Sequence, residues 1–201
     1  MLMYRKLYFI CLFTFSHQWL YAQNFHAGVI GGISTTQVAG DQLSGFNKAG
    51  LITGCFVNRK LSEKTSLQME IIFIQKGSRK PLDPNDNTFY AMRLSYFEVP
   101  LLLKWQVAPK LNVELGPSFG VLVFSEEETE YGIYHSSLPF KKFDLSGNFG
   151  LTYPLTEKLL LNTRYSNSLI PIRDFPTGFS FAYFDRGQYN TVLSFTLQYQ
   201  F

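Results

Sequence analysis

The sequence predicts an all-β fold: an eight-stranded antiparallel up-and-down transmembrane β-barrel. Three observations carry that reading. Apolar and polar residues alternate over unusually long segments, short turns alternate with long polar loops, and one face of the alternating segments is much bulkier than the other.

The strands follow in chain order from the period-two pattern that a two-faced strand imposes. Phe25 to Thr36 and Lys48 to Asn58 are the first two and the weakest in contrast. In the third, Leu67, Met69, Ile71 and Phe73 oppose Ser66, Gln68 and Glu70. Phe97 to Val107 and Leu111 to Phe124 are the fourth and fifth. In the sixth, Phe143, Leu145, Phe149, Leu151 and Tyr153 oppose Asp144, Ser146, Asn148, Gly150 and Thr152. Leu159 to Ser166 is the seventh. The last starts at Gln188, with Tyr189, Thr191, Leu193, Phe195, Leu197, Tyr199 and Phe201 on one face and Asn190, Val192, Ser194, Thr196, Gln198 and Gln200 on the other.

Short turns fall near Arg59 to Lys64, at Pro109-Lys110 and at Thr156 to Lys158. Long polar loops fall near Gln37 to Asn47, Gly77 to Ala91, Ser125 to Phe140 and Asn167 to Gly187. This regularity is that of an outer-membrane barrel, with short turns and both termini on the periplasmic side and the long loops outside. Pro100 and Pro117 sit inside predicted strands, where each removes a ladder donor, so both are expected to mark bulges or bends.

Alternation alone does not say which face points outward, because a soluble lipocalin-like barrel buries its apolar face and a membrane barrel turns it to lipid. Bulk decides. The polar face holds Gly116, Ser118, Gly120, Ser146 and Gly150, and the interior of an eight-stranded barrel is only wide enough for side chains to fill. Leu101 and Phe149 are therefore expected to face lipid, and Ser146 and Gln198 the lumen. By the same parity Glu70, Glu98, Glu114 and Asp144 point inward with Lys104 and Arg164. Charges buried at that density must pair, so they read as an interior salt-bridge network of structural role, too tightly filled for a proton or ion path.

Composition agrees. Aromatics make up 17% of the 201 residues and charged residues only 16%, against about 25% in ordinary soluble domains. The formal charge of +3 gives no footprint for nucleic acid. No apolar run approaches the ~18 residues of a membrane helix.

The first 22 residues read as a secretory signal peptide, and residues 23–201 as one barrel domain. Arg5 and Lys6 precede an apolar block, Leu7 to Phe15, and Ala22 suits the position before cleavage. Removing Cys11 with the leader leaves Cys55, a small apolar residue on a strand, without an intrachain partner.

Ser95-Tyr96-Phe97-Glu98-Val99-Pro100-Leu101-Leu102-Leu103-Lys104-Trp105 resembles the "Y-x-E-[IV]-P-L-L-L-K" strand of the PorT-like outer-membrane β-barrel proteins of Bacteroidetes. The resemblance continues at Gly28 to Ser34, at Gln68-Met69-Glu70 with Gln75-Lys76-Gly77, and at Leu115-Gly116-Pro117. It implies an outer-membrane barrel of about eight strands, in a family whose namesake is implicated in protease secretion through the type IX pathway. The chain as a whole reads as a monomeric barrel whose partners are outer-membrane lipid and, through the long loops, other envelope or secretion proteins.

No catalytic, metal or cofactor motif stands out. His135 beside Ser136 and Ser137 could serve a lipid-modifying enzyme at the rim, but adjacent serines are ordinary turn chemistry, and His26 has no such neighbours. Asp83, Asn85, Asp86 and Asn87 offer oxygen ligands, yet Pro84 interrupts them and the EF-hand spacing is missing. Glu126, Glu127, Glu128 and Glu130 read as a solvated loop tip, or as a site for divalent ions bridging lipid phosphates. Leu197-Gln198-Tyr199-Gln200-Phe201 resembles the terminal signal by which barrels are recognised for insertion, with Tyr199 and Phe201 as its aromatic residues.

Overall fold

The structure, a computed structural model, describes residues 25–41, 43, 45–80, 88–134, 136, 138–174 and 187–201. The predicted signal peptide and the Asp83 to Asn87 cluster lie outside the described residues, as do His135 and Ser137.

Ten strands occur in chain order among the described residues: β1 (Phe25–Ala39), β2 (Lys48–Lys60), β3 (Thr65–Arg79), β4 (Tyr90–Ala108), β5 (Leu111–Thr129), β6 (Gly132–Tyr134), β7 (Phe143–Pro154), β8 (Leu159–Ser168), β9 (Arg173–Asp174) and β10 (Gly187–Gln200). Eight of them form the ring. Each pairs antiparallel with the next, from β1 through β5 to β7, β8 and β10, and β10 closes on β1 from Gly28↔Gln200 to Ala39↔Tyr189. Closure leaves no long sheet edge facing lipid. The short β6 pairs with β5, and the short β9 with β10.

The strands run further into the loops than the alternation suggests. β4 starts at Tyr90 and β5 continues to Thr129, so Glu126, Glu127 and Glu128 belong to a paired strand and not to a loop tip. The prolines also behave differently from expectation. Pro100↔Ser118 and Leu103↔Leu115 share one β4–β5 register, so no bulge forms at Pro100 or Pro117. An added Cβ at Gly116 would collide with the Leu101 carbonyl, so glycine there lets β4 and β5 close up where the two prolines withhold donors. The two register shifts lie instead between Gln106 and Ala108, beside the short turn, and between Ser95 and Tyr96, opposite Phe124 and Leu122, where Val123 is left as the extra residue. One extra residue reverses which face later side chains meet. Glu114 and Glu127, of opposite parity, thereby both point into the barrel.

The faces follow the assignment made from bulk. Leu101 and Phe149 are 43% and 51% exposed on the outside, whereas Ser146 and Gln198 are 1% and 0% exposed inside. Two departures matter. At the upper end of β10, Tyr189 and Thr191 are buried although their face is the outer one. The interior, moreover, is not uniformly polar: Ile30, Ile52, Phe56, Ile72, Ile74 and Val192 form an apolar cluster inside it that continues through Leu94 and Met92 to Ile172. The lumen thus has an apolar sector, mostly on β1 to β3, and a charged sector from β3 round to β8.

Candidate functional site

Three tiers of charge fill the interior between the end that carries the short turns and the end that carries the long loops. Nearest the turn end, Arg164 of β8 is the hub. Its Nη1 and Nη2 each donate to Glu70 of β3 at 2.8 Å, and its Nε donates to Glu114 of β5 at 2.7 Å. Lys104 Nζ lies 3.3 Å from the other Glu114 oxygen. Gln68 donates to Glu70 at 2.6 Å and Thr152 to Glu114 at 3.2 Å. Two carboxylates thus meet two cations. A bidentate, charge-assisted guanidinium pairing of this kind, buried from solvent, is among the strong ones side chains make.

Geometry at this tier depends on glycine for room. A Cβ on Gly150 would lie 2.7 Å from Glu114 Oε1, so β7 yields space to the carboxylate held by its neighbour strand. Towards the turn end the lumen opens into a funnel of about 460 Å³ lined by His26, Asn58, Lys60, Gln106 and Gln200 among others. Gln68 and Gln198 are 1% and 0% exposed, and Gln68 Nε2 donates to Gln198 Oε1 at 3.4 Å.

The second tier lies nearer the loops. Lys76 of β3 contacts Glu98 of β4 and donates to Asp144 Oδ2 of β7 at 3.1 Å, over the Tyr96 ring at 5.0 Å. Asn190 of β10 donates to the same Asp144 oxygen at 3.0 Å, and Ser146 to the other at 3.3 Å. Six predicted interior residues therefore sit in two separate clusters, not one network: Glu70, Lys104, Glu114 and Arg164 below, Glu98 and Asp144 above. Lys76 joins the upper pair. Its parity continues that of Glu70, Ile72 and Ile74, so extending the third strand by three residues would have revealed it.

The third tier closes the mouth. Arg173 of β9 donates to both Glu127 oxygens, at 3.0 and 2.5 Å, while Tyr90 donates to Glu127 Oε1 at 2.6 Å. The guanidinium stacks 3.6 Å over the Phe140 ring. Beside it a groove of about 380 Å³ is lined by Tyr134, Ser136, Leu138 and Phe140 among others. Ser136 Oγ accepts a bond from the Leu138 N–H at 3.2 Å, which is turn chemistry. Further round the rim, burial pushes the Asp41 carboxyl above its ordinary range, opposed by hydrogen bonds from the Ser78 side chain and the Leu43 N–H.

Outside the lumen, Arg93 pairs with Glu126 at 2.5 Å and Glu128 at 2.6 Å on the exposed face. At the seam, Phe201 donates its N–H to Ala27 O at 2.9 Å, and its ring meets Tyr199 edge-on at 6.0 Å. Cys55 is an exposed free thiol on β2.

A closed ring of eight long strands, apolar outside and ion-paired inside, defines a transmembrane β-barrel of the outer-membrane kind. The family model for the outer membrane protein beta-barrel domain matches residues 21–174, and the chain belongs to that family. The crystal structure of Ail, the attachment invasion locus protein of Yersinia pestis, superposes over 88% of this chain and 98% of its own with a TM-score of 0.53 at 12% identity. The same protein in complex with the heparin analogue sucrose octasulfate gives 0.52 at 10% identity, over 88% of this chain and 99% of its own. Neisserial surface protein A gives 0.51 at 12% identity, over 88% and 97%. These likenesses concern the fold. Among curated proteins, none matches the sequence.

Proposed function

We propose that this barrel is a non-conducting structural or interaction protein of the outer membrane, neither a porin nor an enzyme, that meets its partners at the loop end. The observation that carries the reading is the interior, filled across its width at three successive levels by ion pairs and, beside them, by the isoleucine sector. An open channel needs a continuous water column, which such packing excludes.

The loop end supplies surface. β4 and β5 each have 19 residues, about twice the 9 to 11 that cross hydrocarbon at a tilt. With β6 they raise a hairpin on which Tyr131 is 93% and Ile133 62% exposed. In this reading residues 1–22 are a cleaved signal peptide, residues 23–201 are the barrel domain, both termini are periplasmic, Tyr199 and Phe201 help the assembly machinery to recognise the last strand, and the barrel is a monomer in lipid. A narrower form, in which the partner belongs to a protein-secretion or surface-assembly apparatus, rests on the PorT-like strand from Ser95 to Trp105.

The test is conduction together with crosslinking. Purified barrel in a planar bilayer is expected to show no stable large pore, and porin-sized conductance would overturn the reading. A photocrosslinker at Tyr131 is expected to capture envelope proteins in intact cells that one at Leu101, on the lipid face, does not. Equal capture from both positions would remove the loop end as the interaction surface.

A further inference from the structure

The charge count of the middle tier does not balance. Lys76 is the cation that touches Glu98 and Asp144 among the described residues, so two carboxylates share one ammonium. The tier below is already neutral, with Glu70 and Glu114 against Lys104 and Arg164. One negative charge is left over, away from bulk water. Leaving it unpaired is strongly unfavourable.

The two carboxylates are not equivalent. Asp144 accepts bonds from Lys76 and Asn190 at Oδ2 and from Ser146 at Oδ1, the environment of an ionised group. Glu98, 3% exposed, meets the Lys76 ammonium through its Oε1, which accepts no hydrogen bond in good geometry from any other group. Opposite it is Gly120, where a Cβ would lie 3.1 Å from that oxygen, so β5 brings no side chain against it.

A cavity of about 20 Å³ adjoins Glu98, bordered on one side by Glu70, Arg164, Ser166, Ser194 and Thr196 and on the other by isoleucines of the apolar sector. About 10 to 15 Å³ suffices for one water. Ser166 Oγ and Thr196 Oγ1 are buried there without partners. Arg164 on the cavity wall disfavours a metal cation as the missing positive charge. A proton needs no such room.

We propose that Glu98 is a proton-binding site of the lumen, held as the neutral acid at neutral pH and bonded to a single water in the cavity between it, Ser166 and Thr196. The charged and titratable groups that face it are Lys76 and Glu70 from β3, Tyr96 on its own strand, Asp144 from β7 and Arg164 from β8. With Glu98 neutral, Lys76 and Asp144 form a balanced pair.

The test uses the full mature chain refolded in detergent micelles and labelled with carbon-13 at the glutamate carboxyl. The Glu98 signal is identified by its loss in Glu98→Gln. At pH 7 it is expected at the protonated position, apart from the other glutamates, and a signal at the ionised position would overturn the proposal. Glu98→Gln places a neutral group of the same shape there, so it is expected to fold with an unchanged unfolding temperature, whereas Asp144→Asn lowers it. A Glu98→Gln protein that fails to fold, or that loses more than Asp144→Asn, would equally overturn it.

Discussion

The two sectors of the lumen solve the same packing problem with opposite chemistry. In the apolar sector Ile30, Ile52, Phe56, Ile72 and Ile74 fill space and demand only shape. In the charged sector Arg164 must be in register with Glu70 across the lumen and with Glu114 two strands away. Trimming an isoleucine leaves a small void; removing an ion leaves its partners charged in a dry place. The charged sector therefore fixes how strands far apart in sequence line up, and the apolar sector supplies bulk that forgives local change.

The sharpest way to break this contrast is Arg164→Met, which keeps volume and deletes the hub. It strands Glu70 and leaves Glu114 with Lys104 alone, and the expected loss is about 3 to 5 kcal/mol. Urea unfolding of the refolded barrel measures it. Adding Glu70→Gln should recover most of that loss, because Glu114 keeps Lys104 at 3.3 Å and no carboxylate is then orphaned. If the double variant is no better than the single one, Arg164 acts through packing and the contrast between the sectors disappears.

The same contrast explains what could be read from the sequence. A charge on a strand that crosses lipid has one tolerable direction, so parity alone placed Glu70, Glu98, Lys104, Glu114, Asp144 and Arg164 in the lumen. Isoleucine is at home on either face. Ile72 and Ile74 extend a strand whose outer face already held Ile71 and Phe73, and nothing in their chemistry marked them as interior. Partner choice was also out of reach, because Glu98 and Glu114 share a parity but sit in different tiers, and which cation each meets depends on the stagger between strands. Glu127 was hidden by the bulge at Val123, since one unpaired residue reverses parity without leaving a motif.

Within the apolar sector the milder probe is Ile74→Val, which removes one methylene from the cluster. Shape is the demand there, so the expected loss is about 0.5 to 1.5 kcal/mol, and the unfolding midpoint should shift equally at low and high salt. A loss as large as that of Arg164→Met would mean that the isoleucines set register as strictly as the charges do.

The smallest effect belongs to Arg93→Ala, which sharpens the comparison by moving the same chemistry to the surface. Arg93 meets two carboxylates, as Lys76 does, but its side chain is 44% exposed and those of Glu126 and Glu128 are 27% and 35% exposed. Water solvates the glutamates once the guanidinium is gone, so no buried charge is orphaned. Exposed pairs are worth about 0.2 to 1 kcal/mol and weaken as salt shortens the Debye length. Unfolding of Arg93→Ala and of the parent barrel should therefore differ slightly at low ionic strength and converge at high ionic strength, whereas the Arg164→Met difference persists. A salt-independent loss of several kcal/mol at Arg93 would show that the pair is shielded from water, which would extend the charged sector beyond the lumen to the outer rim.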